Sequence, residues 1–115
     1  MTDTLKQTNK DPLADPRVTK NEDGSYTVKL NTPAQVVVGD APMTSVTLKR
    51  VNGRGMTAMF DAEGKGSQLE ALTLASAKMT GPLADAFMEA VDGNDWTLLV
   101  GVASSFLANG QTTGQ

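Results

Sequence analysis

The chain has no cysteine and no histidine. Without cysteine there is no disulfide framework and no thiolate site. Without histidine it lacks the commonest general base and the commonest metal ligand. Aromatic residues are few: Tyr26, Trp96 and three phenylalanines, enough for one modest core. From Met79 onwards there is no lysine or arginine, while Asp85, Glu89, Asp92 and Asp95 all lie in that stretch. A DNA-reading helix needs cations to neutralise phosphates, so these segments do not suit nucleic acid. The stretch from Met1 to Lys10 is polar, so it reads as neither a signal peptide nor a membrane anchor, and no apolar run is long enough to span a bilayer. The expectation is a soluble, cytoplasmic protein.

What is present is a chain of 115 residues and 12.1 kDa with a formal charge of -3. That length allows one domain. Residues 1–24 mix Thr, Asn, Lys and Asp with Asp11-Pro12 and Asp15-Pro16, and read as a disordered or loosely packed arm. Asp23-Gly24 signals a turn. Tyr26, Val28 and Leu30 then alternate with polar residues, as do Val46 and Leu48, so two strands are expected. Asn31-Thr32-Pro33 should stop the first strand, and Gln35 to Val38 reads as a weaker strand or an extended loop. Lys49, Arg50 and Arg54 form a small basic cluster that reads as a solvated strand end and turn.

Helical spacing takes over after Asn52-Gly53. Met56, Met59 and Phe60 fit two turns over about residues 55–62, and Glu63 to Gly66 breaks them as a flexible linker. Ser67 and Glu70 have capping-box spacing, which opens a helix over about residues 67–79. Thr80-Gly81-Pro82 is a stop and a restart, leading into a helix over about residues 82–91. Asp92 or Asn94 can cap the last helix, about residues 94–108, whose stripe carries Trp96, Leu99, Val100, Ala103, Phe106 and Leu107. The fold class is therefore α+β: a small antiparallel hairpin or meander over about residues 25–50, then three to four short helices. Residues 25–109 form the domain, and residues 110–115 a disordered polar tail.

No catalytic set emerges. A phosphate loop at Gly64-Lys65 would need glycine where Met59 stands and a hydroxyl residue where Gly66 stands. Asp92 and Asp95 lack the alternating ligands and closing glutamate of a calcium loop. Asp61 and Glu63 read as a solvated helix end, and Ser104-Ser105 has no histidine to activate it. No enzyme, cofactor or metal is expected. The methionines Met43, Met56, Met59, Met79 and Met88 suit core filling or an adaptable binding surface. The last helix is apolar over more than one side, and Gly101, Ala103, Ser104 and Ser105 would let another helix come close. It is either the central core helix or a face for a second copy or another protein.

The order of these pieces resembles a known family. It runs from a strand (Val46 to Arg50) through a short element to a helix ending at Met79-Thr80-Gly81-Pro82. A further helix ends before Asp95, and the last runs from Asp95-Trp96 to Phe106-Leu107. This is similar to the small tail assembly chaperones of Mu-like tailed bacteriophages. Val28 to Pro33 resembles the family's opening strand-to-proline segment, and Arg50 its arginine after the second strand. The resemblance covers roughly Val28 to Leu107. It implies a non-catalytic protein of the host bacterial cytoplasm, absent from the mature virion. Such a protein binds the tape measure protein and holds its long helical chain soluble until tube protein polymerises around it. Tail tube protein is a second implied partner, and a homo-oligomer stays open. Many such genes yield a longer product by frameshifting, and the polar Gln111 to Gln115 end would suit that junction. Met56, Met59, Phe87, Met88, Trp96, Leu99 and Phe106 are the residues expected to supply core and partner-binding surface together. The competing readings are a structural tail or head component or adaptor retained in the virion, and a small DNA-binding regulator.

Overall fold

Alternation of apolar and polar residues builds the first half around one central strand. A computed structural model describes the backbone of residues 11–113 and the side chains of residues 11–107. Strand β1 (Val18–Lys20), β2 (Tyr26–Ala34) and β3 (Met43–Leu48) form an antiparallel sheet in the order β1-β2-β3. Four helices follow: α1 (Gly53–Asp61), α2 (Lys65–Ser76), α3 (Gly81–Ala90) and α4 (Gly93–Thr113). The class is α+β, as the patterning implied. Val28, Leu30, Val46 and Leu48 are buried on one sheet face, while Lys29, Ser45 and Thr47 are exposed on the other. Helix α4 lies across the buried face and also packs on α2, so it is the central helix. Its buried stripe is Asp95, Leu99, Val102, Ala103 and Phe106, spaced for one helical face. Of the two readings of its breadth, burial from several sides accounts for it.

Of the two readings of Gln35 to Val38, the loop is the one the chain adopts. The loop is held by the Gln35 side-chain Nε2 donating to the carbonyls of Val37 (2.8 Å) and Asp40 (2.7 Å). The additional strand is β1, inside the expected arm. Pro12–Ala14 forms a 3-10 turn, and β1 pairs with β2 in the register Val18↔Val28 and Lys20↔Tyr26. Residues 11–24 are thus part of the fold, because their anchors are distant in sequence. Leu13 and Val18 pack on the core, and Pro12 lies over Gly101 of α4 so closely that a Cβ there would sit 2.8 Å from the ring. The small residue at Gly101 therefore admits the 3-10 turn of the same chain. Residues 1–10 lie outside the described residues.

Asn31-Thr32-Pro33 does not end β2. The register passes from Lys29↔Ser45 to Ala34↔Met43, so the strand bulges here and runs on to Ala34. Pro33 has no amide N–H to donate and is tolerated at such an irregularity.

The helix bounds shift for local reasons. Asn52 caps α1, its side chain accepting from the Gly55 amide at 3.0 Å. Helix α2 begins at Lys65, after Gly64 at φ 91°, so Ser67 lies inside the helix and the expected capping box does not form. It ends at Ser76 in a Schellman motif: the amides of Met79 and Lys78 donate to the carbonyls of Leu74 (2.9 Å) and Ala75 (3.1 Å). Lys78 takes the left-handed position, at φ 62°. Asp92 precedes α4, and its carboxylate accepts from the Asn94 amide at 2.9 Å. Helix α4 continues past Asn109-Gly110 to Thr113, into the expected tail; residues 114 and 115 lie outside the described residues.

Candidate functional site

The seven residues singled out in the sequence divide by depth. Phe87, Leu99 and Phe106 are core residues, at 1%, 0% and 7% exposure. Met88 and Trp96 are half-buried at the core's edge, with the Phe87 and Trp96 rings 6.4 Å apart and tilted. Met56 and Met59 are half-buried on α1, away from that cluster. The structure therefore does not bring the seven to one surface. Three are withdrawn into the interior, Met88 on α3 and Trp96 on α4 border the core, and Met56 and Met59 lie on α1.

Helix α1 positions the more open of these places. Its main packing partner is α2. Buried Gly55 makes the approach possible, since a Cβ there would lie 3.1 Å from the Ala75 Cβ and would also strike the Val51 side chain. Met56, Met59 and Phe60 share the i, i+3, i+4 side of the helix. Phe60 is 66% exposed, so this side presents an aromatic ring and methionine edges to solvent. Phe60 carried helical spacing in the sequence, and the spacing alone gave no sign of its exposure.

Beneath the sheet lies a polar assembly that sequence reading missed. Asp95 is 1% exposed. One oxygen accepts from the Asn31 amide (3.0 Å) and Arg17 Nη1 (3.2 Å), and the other from the Thr32 amide (3.0 Å). The bulge in β2 takes Asn31 and Thr32 out of the ladder register, and Asp95 receives their amides. Asp15 holds Arg17 from the other side through Nε (3.1 Å) and Nη2 (3.1 Å). That hydrogen bonding to Asp15, with the charges of Asp15 and Asp95, raises the Arg17 pKa above its ordinary value. Every bond here is between groups of the chain itself. The cluster ties the turn before β1, the β2 bulge and the first turn of α4 together, where the helix dipole also favours an acid. It is a structural latch. Asp95 was a charge on a helix start in the sequence, and its partners are 63, 64 and 78 residues away.

The other candidates from the sequence are dispersed. Gly64-Lys65-Gly66-Ser67 enters α2 directly and forms no loop around a ligand. The Ser105 hydroxyl donates to the Val102 carbonyl at 2.6 Å. Among the described residues no group of three or more Asp and Glu side chains is placed to hold a metal ion. No helix among the described residues is long and apolar enough to cross a membrane. Arg54 stands apart from Lys49 and Arg50, beside Thr57, Ala58 and Asp61 on α1. Compared with protein-family models, curated proteins and solved structures, the chain matches none.

Proposed function

We propose that the chain is a bacteriophage tail assembly chaperone. It binds the tape measure protein, keeps that long helical chain soluble and helps tube assembly, without catalysis. It works in the host bacterial cytoplasm and leaves before the tail matures. The observation that carries this reading is the α1 side formed by Met56, Met59 and the exposed Phe60, set outside the core. Methionines re-pack around differing side chains, and a tape measure presents amphipathic helices that can lie against such a face. The family resemblance supports the reading from the sequence side, through Val46 to Arg50, Thr80-Gly81-Pro82 and Asp95-Trp96 to Phe106-Leu107.

Two observations test it. The gene should sit between a tail tube gene upstream and a very long helical gene downstream. Mass spectrometry of purified virions should find the chain at trace level. Stoichiometric recovery would transfer it to the structural components retained in the particle.

A further inference from the structure

Four of the chain's ten lysine and arginine residues line one open cleft of about 530 Å³. They come from three places in the fold. Lys20 ends β1, Lys49 and Arg50 follow β3, and Lys78 sits in the cap after α2. The convergence is held by bonds elsewhere. Ser76, fully buried, donates its hydroxyl to the Lys49 carbonyl (2.7 Å) and receives the Lys49 amide on its own carbonyl (2.9 Å). That two-way clip fixes the end of β3 beside the end of α2. Among the described residues the ion pairs join Arg17 to Asp15 and Asp95 and include none of the four cations.

The one acid lining the cleft is already engaged. Asp23 accepts from the Ser25 hydroxyl (2.6 Å) and the Ser25 amide (2.9 Å). These bonds, the hydroxyl's first, lower its pKa, and the charge of Lys49 adds to the effect. The floor is the half-buried ring of Tyr26, backed by the core ring of Phe106 with centroids 5.8 Å apart. Lys78 adds an independent sign. A left-handed cap position favours glycine, yet this one carries a long cation into the cleft lining at a conformational cost.

We propose that this cleft binds an acidic, partly apolar segment of a protein partner. Its carboxylates meet the cations around the rim, and an apolar side chain meets the half-buried ring of Tyr26. Complementarity of charge selects the acid, and the aromatic floor selects a segment that also carries an apolar group. A free phosphate would leave the floor unused. A nucleic acid strand would have to lie along a molecule whose net charge is -3 and whose sequence from Met79 onwards holds no cation. The inference does not depend on the chaperone reading, because the cleft and the α1 side share no residue.

The test is fluorescence anisotropy with the full chain and a labelled helical peptide bearing glutamates on one side and leucines on the other. Binding should weaken as salt rises. The double variant Lys49→Glu, Arg50→Glu should weaken it about tenfold or more. Lys65→Glu, outside the cleft, should leave it unchanged. Lys78→Gly should raise the melting temperature while lowering affinity, which a lysine held only for its cap would not do. Melting curves confirm that each variant folds. Equal affinity for wild type and the double variant, or no binding at low salt, overturns the proposal. So does tighter binding of a single-stranded oligonucleotide, or full displacement of the peptide by inorganic phosphate at matched ionic strength. Failure here leaves the tape measure reading standing, and loss of that reading leaves the cleft's chemistry intact.

Discussion

At the scale of single residues, Asp95 carries the most structural consequence. Its carboxylate receives two backbone amides and a guanidinium while 1% exposed. Asp95→Ala would leave the Asn31 and Thr32 amides without their acceptor and Arg17 without one of its carboxylates. Removing one partner of a buried charged network is costly, here moderated by the partial exposure of Arg17. A loss of about 2–4 kcal/mol is expected from urea unfolding. A loss below that range would mean that water replaces the carboxylate readily. Asp23 provides a pH-dependent counterpart on the surface. Its pKa is lowered in the folded state, chiefly by the Ser25 hydroxyl, so its contribution is complete above the unfolded carboxylate pKa. That contribution disappears as pH falls through the folded value. Asp23→Asn should therefore be less stable than wild type at neutral pH, with the gap closing in acid. Thermal melts across the acidic range would show it, and a gap that stays constant with pH would contradict it.

At the scale of elements, the helices of the second half were legible because each signal was local. Thr80-Gly81-Pro82 and Asp92 to Asp95 fall within a few residues of the boundaries they mark. Strand β1 was not legible. Three residues are too few to show alternation, and the contacts that order the segment come from Gly101 and Asp95. The continuation of β2 through Pro33 was hidden for the same reason, since its freed amides bond to a helix more than sixty residues away. Ser67 and Glu70 had the right spacing for a box, but α2 begins two residues earlier, at Lys65. The ordering of the 3-10 turn can be tested at its contact. Gly101→Leu would push against Pro12, and overpacking of this kind costs about 1–3 kcal/mol. Trypsin should then cut after Arg17 and Lys20 faster than in the wild type. Unchanged cleavage would show that the turn does not depend on this contact.

At the scale of the whole molecule, the placement of residues separates core from surface in a way composition could not. Seven apolar residues were expected to share the core and the binding surface, and the fold takes Phe87, Leu99 and Phe106 inside. The open apolar side is left to Met56, Met59 and Phe60 on α1. Charge follows a similar logic. A net charge of -3 conceals four cations gathered at one end of the sheet, because Lys20 and Lys78 join Lys49 and Arg50 only once the chain is folded. The chaperone reading is tested most directly by co-expressing the long helical protein with and without this chain and measuring its soluble fraction. With the wild-type chain, the long protein should be soluble and co-purify in a complex. With Met59→Glu, Phe60→Glu it should return to the pellet, while the variant itself stays folded. Equal solubility of the long protein in the presence and absence of the chain would contradict the account.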